Sequence, residues 1–191
     1  MPVTRLDPVT ALLVIDLQNA VRTFPYTDPV TGVVDNSAAL AREFRKRGLP
    51  VVLTRADSRG VAPTRVDAPL SLGRLKVRLP ENWDALMEEL EPQDEDLVLV
   101  KQRWGAFTGT SLAEWLAARA VTGVVVTGVA TAFGVESTAR SASELGLNVT
   151  LPTDAMTDMD AAAQANSVER VFPRLGECGT TQDVLDRLAE R

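Results

Sequence analysis

Three stretches of the sequence hold residues whose types and positions could do chemistry together. Asp16 closes the apolar run Ala11-Leu12-Leu13-Val14-Ile15 and leads into Leu17-Gln18-Asn19. A carboxylate at the mouth of a buried strand is partly desolvated, which raises its pKa and suits it to general acid or base work. The same position also fits a helix cap or a solvated strand end. Lys101 ends the run 97–100 in the same way, and a half-buried lysine needs an anionic partner. Asp16 fills that role if the two strands are neighbours; otherwise Lys101 is a strand-end charge or half of a structural ion pair. The third stretch, 127–140, passes from an apolar strand through small residues into a helical pattern. N–H groups at such a helix start lack intrahelical partners and can hold an anion or an oxyanion.

What is missing narrows the chemistry further. The chain has no histidine and a single cysteine, Cys178. The usual Ser-His-Asp and Cys-His schemes and the His-rich zinc sites are therefore excluded. Catalysis near neutral pH is left to perturbed carboxylates, lysine, tyrosine, an oxygen-ligated metal or backbone donors. One cysteine makes no internal disulfide, which fits a reducing cytoplasm. The formal net charge of −6 argues against nucleic acid or anionic membrane as partner, since both reward a basic face. Residues 1–10 are polar and proline-punctuated, so no signal peptide is expected, and the apolar runs are too short to span a bilayer.

The elements that must position these residues follow from the hydrophobic pattern. Strands are expected at 11–16, 49–55, 96–101, 123–127 and 147–151. Helices are expected at 33–47, 82–90, 111–119, 134–145, 161–172 and 181–189, several of them closed by glycine or opened by threonine. Residues 59–78 show no periodicity and read as a long loop. Strands separated by helices imply parallel pairing through right-handed crossovers, and strands apolar on both faces imply helices on both sides. The expectation is one α/β domain over 1–191, doubly wound and Rossmann-like, with a parallel sheet of about six strands. Ligands in such sheets bind beyond the carboxyl ends of the strands, where Asp16, Lys101 and the 128–134 turn all fall.

The detailed strings carry a resemblance. Asp16-Leu17-Gln18-Asn19, Lys101 with Trp104-Gly105-Ala106-Phe107, and the string from Gly128 to Arg140 together resemble the isochorismatase-like hydrolases, or cysteine hydrolase superfamily. Thr153-Asp154-Ala155-Met156-Thr157-Asp158 and Val171-Phe172-Pro173-Arg174-Leu175-Gly176 are similar to family members as well. The resemblance implies a catalytic Asp-Lys-Cys constellation in which Asp16 and Lys101 match and Gly134 stands where the family has its cysteine. Amidases of the family need that thiolate to form an acyl-enzyme. Cys178 lies far along the chain and reads as an inert, half-buried thiol. The histidines of the amidases' metal site are also missing, so neither metal nor cofactor is expected.

Isochorismate pyruvate-hydrolases are the branch that resembles this chain in carrying glycine at that position. The resemblance implies general-acid hydrolysis of a vinyl ether such as isochorismate, with Asp16 as acid and Lys101 as its orienting partner. It also implies a cis peptide at Val129–Ala130. The candidate substrate-binding residues are Gln18, Arg55, Trp104, Phe107, Val129, Ala130, Thr131 and Phe133. Gln18 is expected to support Asp16 by hydrogen bonding, Arg55 to bind a carboxylate or lie solvated, and Trp104 and Phe107 to wall the substrate or pack beneath the loop. Glu136 and Arg140, at i,i+4 spacing, suit helix stability or a subunit contact. Two alternatives stay open: hydrolysis of another, secondary-metabolite substrate by the Asp16–Lys101 pair, and a silent binding or scaffold protein. Relatives commonly form dimers or larger assemblies, so the resemblance implies a homo-oligomer.

Overall fold

The computed structural model of the chain describes residues 2–57, 59, 65 and 78–190. Most of the loop expected at 59–78 lies outside the described residues. Short β-branched and leucine-rich runs form the strands β1 Thr10–Ile15, β2 Val51–Ala56, β3 Leu97–Lys101, β4 Gly123–Val129 and β5 Asn148–Pro152. Two short strands were not legible in the pattern, β6 Met156–Thr157 and β7 Glu177–Gly179. Both are too brief to show a period, and pairing alone defines them.

The helices are α1 Val30–Lys46, α2 Leu112–Ala117, α3 Glu136–Glu144, α4 Ala161–Asn166, α5 Phe172–Leu175 and α6 Thr181–Ala189. The expected helix at 82–90 is absent. Turns fill 81–84, Leu86 makes an isolated antiparallel bridge to Gln18, and a 3-10 turn spans Glu88–Leu90. There the segment's backbone pairs with the chain after Asp16: Asn19 N–H donates to the Ala85 carbonyl and Met87 N–H to that of Leu17. Tertiary hydrogen bonds thus replace the helical ladder. The expected helix at 161–172 is present and runs on to 175 without a break, as α4, a wider π segment over Ser167–Val171, and α5. The wider turn lies just before Pro173, whose ring removes the backbone N–H that would bond back along the helix. Only α6 keeps the bounds the pattern predicts, fixed by a capping box in which the Thr180 hydroxyl and the Asp183 carboxylate satisfy each other's backbone N–H groups.

All strand pairs are parallel, in the order β3-β2-β1-β4-β5-β7, with β6 beside the end of β4. Alternate residues of β1 feed two cores. Ala11, Leu13 and Ile15 pack with α2, α3 and α5, and Leu12 and Val14 with α1 and α6. The expectation of strands covered on both faces fails at β3, where Val98 and Val100 are 43% and 46% exposed. Helix α1 lies over the centre of the sheet, and the α1-side core includes Val51 and Leu53 but neither of these valines. From β1 the chain steps outward to β2 and β3, then returns to lay β4 on the other side of β1. This reversal opens a crevice between the carboxyl ends of β1 and β4.

Candidate active site

Asp16 stands at that crevice, in a left-handed backbone conformation with φ of 52°. Aspartate is among the few side-chain-bearing residues that tolerate this region, because its short polar group bonds locally. The Asp16 carbonyl accepts from the Gln18 N–H at 2.8 Å, and the Asp16 N–H donates to the Thr54 hydroxyl at 3.1 Å. The same hydroxyl donates to Asp16 Oδ1 at 2.7 Å. Lys101, whose side chain is 3% exposed, places Nζ 2.7 Å from Asp16 Oδ2 and donates to the Arg103 carbonyl at 3.1 Å. Strand register makes the pairing possible, because β2 sits between β1 and β3 and its end is level with both. Burial pushes the Asp16 carboxyl above the usual carboxylate range, while the Lys101 charge and hydrogen bond and the Thr54 hydrogen bond pull the other way.

Gly134 faces this pair from β4's side. A Cβ built there would sit 3.5 Å from Asp16 Oδ2, but also 2.9 Å from Ile15 Cγ2 and 3.0 Å from the Val129 carbonyl oxygen. The position is therefore in contact with the carboxylate and too tight for a side chain unless the Ile15 methyl and the Val129 carbonyl give way. Gly134→Cys is expected to destabilise the protein by about 1–3 kcal/mol through overpacking. A thermal melt at or above the wild-type midpoint would contradict this packing argument.

A relay joins the loop after Lys101 to the Gly134 turn. The Ala106 N–H donates to the Thr138 hydroxyl at 3.1 Å, and that hydroxyl donates to the Gly134 carbonyl at 2.7 Å. Above it, Trp104 and Phe133 meet edge to face, ring centroids 4.9 Å apart. Of the three aromatics among the candidate substrate-binding residues, Trp104 and Phe133 thus form an apolar pair, where Trp104 and Phe107 were the expected wall, and Trp104 is 52% exposed. Phe107 packs against the core on the α2 side, the packing alternative raised by the sequence.

The Val129–Ala130 peptide is cis, as the resemblance implies. The Val129 side chain is buried in the α1-side core and that of Ala130 packs against it, so these two residues bring mainly backbone to the crevice. The expectation of free N–H groups along the turn is corrected in part. Those of Phe133 and Val135 bond the Ala130 carbonyl, at 3.1 and 3.2 Å, and that of Ala132 bonds Asp158 Oδ2 at 2.8 Å. Thr131 is fully buried, and its hydroxyl has no hydrogen-bond partner among the described residues.

Gln18 is also corrected. Its side chain does not reach Asp16: Oε1 accepts from the Ala56 N–H at 2.7 Å and Nε2 donates to the Asp84 carbonyl at 3.2 Å. Buried at 4% exposure, it staples the end of β2 to the 81–86 segment. Arg55 donates from Nη1 to the same Asp84 carbonyl at 3.2 Å, while its buried Nε is unpartnered among the described residues. Glu136 and Arg140 form the expected i,i+4 ion pair, and Glu136 also accepts from the Ser167 hydroxyl. Cys178 lies half-buried in β7 beside Leu151 of β5, and burial raises its thiol pKa, which disfavours the thiolate.

Three residues near the site escaped sequence reasoning. Thr54 is a plain strand threonine until the β1–β2 register puts it under Asp16. Asp158, 1% exposed, holds the Gly134 turn through Ala132 and also accepts from the Asp160 N–H at 3.2 Å. Tyr26 belongs to the segment docked on β6, where the Thr27 N–H donates to the Asp158 carbonyl at 2.8 Å. Burial and the nearby Asp158 and Asp16 charges push the Tyr26 phenol pKa well up, so it stays a neutral hydroxyl. Its only sequence signal was being the sole tyrosine.

Sequence comparison assigns the family. The isochorismatase domain family matches residues 10–183. The chain belongs to the isochorismatase family. The chain is 39% identical to an uncharacterised isochorismatase family protein, YecD, of Escherichia coli O157:H7, over 94% of this chain and 96% of the relative. A streptothricin hydrolase of Streptomyces noursei is 36% identical over 81% of this chain and 52% of its own length. Among solved structures, an isochorismatase family protein of Burkholderia thailandensis superposes with a TM-score of 0.88 at 37% identity, covering 97% of this chain and 98% of that one. The protein is accordingly an isochorismatase-family hydrolase with an α/β fold. No helix among the described residues is long and apolar enough to cross a membrane.

Proposed function

We propose that this isochorismatase-family hydrolase cleaves an enol ether of the isochorismate type by general-acid catalysis from Asp16, without a covalent enzyme intermediate. The observation that carries the reading is the contact between the Asp16 carboxyl and the place over Gly134 where a nucleophile would stand. The acid is present, its pKa is raised, and glycine supplies no nucleophile. Relatives support the substrate class only loosely: an isochorismatase of Bacillus subtilis is 28% identical over 95% of this chain and 59% of its own length.

Protonated Asp16 donates its proton to the terminal methylene carbon of the vinyl ether, forming a C–H bond and an oxocarbenium centre at the adjacent carbon. Water adds to that centre and returns a proton to the Asp16 carboxylate. The resulting hemiketal collapses: the bond between its central carbon and the ether oxygen breaks, the hydroxyl proton passes to the departing oxygen, which stays on the ring as the alcohol, and the central carbon becomes the carbonyl of pyruvate. Lys101 holds the carboxyl in place and offsets negative charge as the proton leaves. The Trp104–Phe133 pair walls one side of the site.

The first test is pyruvate release from isochorismate by the wild-type protein, with purified chain and no added metal. Failure to release pyruvate from isochorismate or a simpler pyruvyl enol ether would remove the reading. The pH profile gives an independent check. A general acid must be protonated, so kcat/KM falls as pH rises through the Asp16 pKa. Lys101 lowers that pKa, so Lys101→Met removes a restraint and moves the alkaline limb to higher pH. A limb that stays in place or moves down would mean another group supplies the proton.

A second reading is amide hydrolysis, the activity named for the ureidoacrylate amidohydrolase of Variovorax paradoxus, 29% identical over 94% of this chain and 81% of its own length. It is disfavoured by the glycine at 134 and by the half-buried Cys178 thiol, which lies in β7 at the far edge of the sheet.

A further inference from the structure

Strand β3 forms one edge of the sheet, and among the described residues no strand pairs with its outer side. Leu97-Val98-Leu99-Val100 contains neither charge nor proline, and both valines are exposed. Edges of this kind pair with another strand unless something blunts them. Backbone polarity points the same way. In a parallel ladder the N–H and C=O of one residue face the same neighbour, and the facing alternates along the strand. The Lys101 carbonyl accepts from the Asp57 N–H at 2.9 Å, so Lys101, Leu99 and Leu97 face β2. The N–H and C=O groups of Val98 and Val100 are therefore turned outward.

We propose that β3 is a self-association edge, pairing antiparallel with β3 of a second copy of this chain about a two-fold axis at Leu99. In that register Val98 faces the partner's Val100, and Val100 faces the partner's Val98. Each pair exchanges both backbone hydrogen bonds, and the four exposed valines merge into one apolar patch on the joined sheet. Charge follows the same symmetry. Asp94 and Glu95 approach the strand and Arg103 leaves it, with Glu95 as far before Leu99 as Arg103 is after. All three are exposed, and neither Glu95 nor Arg103 forms an ion pair among the described residues. The axis brings each acidic end beside the partner's Arg103. An unrelated partner would have no need of this internal symmetry, whereas an isologous contact requires it. The exposed Trp104 follows Arg103, so the contact runs alongside the loop that walls the Asp16 site.

Sedimentation velocity of the full chain over a dilution series tests the proposal, and does so independently of any activity. The wild type is expected to be dimeric and to dissociate on dilution, and Val98→Lys to be monomeric. Glu95→Arg and Arg103→Glu, both at exposed positions, should each weaken association roughly tenfold by placing like charges opposite one another twice. The double variant carrying both changes should recover the wild-type affinity, and an equimolar mixture of the two single variants should form a heterodimer. Circular dichroism confirms that the variants are folded. A monomeric wild type, an association indifferent to Val98→Lys, or failure of the charge swap to recover affinity overturns the proposal.

Discussion

Asp16→Asn is expected to lower kcat for enol-ether hydrolysis by roughly 10³-fold, with little change in the fold. Asparagine is as well suited as aspartate to the left-handed backbone at this position, so the variant adds no conformational strain. Its single side-chain oxygen can still accept from Lys101 in place of Oδ2, and its amide nitrogen then faces the Thr54 hydroxyl, which can turn to accept. What it cannot do is deliver a proton to carbon and take one back from water. Alanine at 16 would be a poorer test, since it would also strain the backbone and leave the buried Lys101 ammonium without a partner. The measurement is pyruvate release by wild type and variant side by side, with a thermal melt of each. Retention of more than about a tenth of wild-type turnover would exclude Asp16 as the acid.

Gly128→Ala is expected to be severely destabilising. Gly128 has φ of 108°, and a Cβ there would fall 2.1 Å from the Ile15 carbonyl oxygen and 2.7 Å from the Ile15 nitrogen. These are backbone atoms of β1, to which Gly128 pairs directly, and they cannot rotate away as a side chain could. Relief requires β1 and β4 to separate immediately beneath Asp16. The cost should exceed about 3 kcal/mol, enough to lower Tm by roughly 6–12 °C or to prevent folding at growth temperature. A midpoint within about 2 °C of wild type would show that the β1–β4 contact is looser than these distances imply. Disturbing the floor of the crevice should also depress activity in whatever folded fraction survives.

Much of this architecture was legible before the chain was folded. The five longer strands announced themselves as short apolar runs, and their alternation with helical segments required a parallel, doubly wound sheet. Asp16 and Lys101 stood out because each ends such a run with a charge, and Gly134 because it sits in a turn between strand and helix. The family strings placed all three in one site and anticipated the cis peptide at Val129–Ala130. Local patterning carries this information because strand burial and turn chemistry are set by neighbouring residues.

What depended on residues distant in sequence was not legible. Thr54 gains its role only because β2 lies beside β1 in a register that lifts its hydroxyl to Asp16, and no local pattern encodes that register. Gln18, two residues after the acid, turned away to bond the Ala56 N–H and the Asp84 carbonyl, which tertiary packing brings beside it. Residues 82–90 had a helical pattern, yet the chain after Asp16 offered their backbone better-placed bonds than a short helix would. Asp158 occupied the Ala132 N–H that a reading of the turn alone would leave free. The exposed valines of β3 looked like core until α1 proved to cover only the centre of the sheet. The sequence by itself determined which residues carry the charge and where the strands end; tertiary structure decided what each charge and each backbone group faces, because hydrogen bonds and burial are settled by whatever packs alongside.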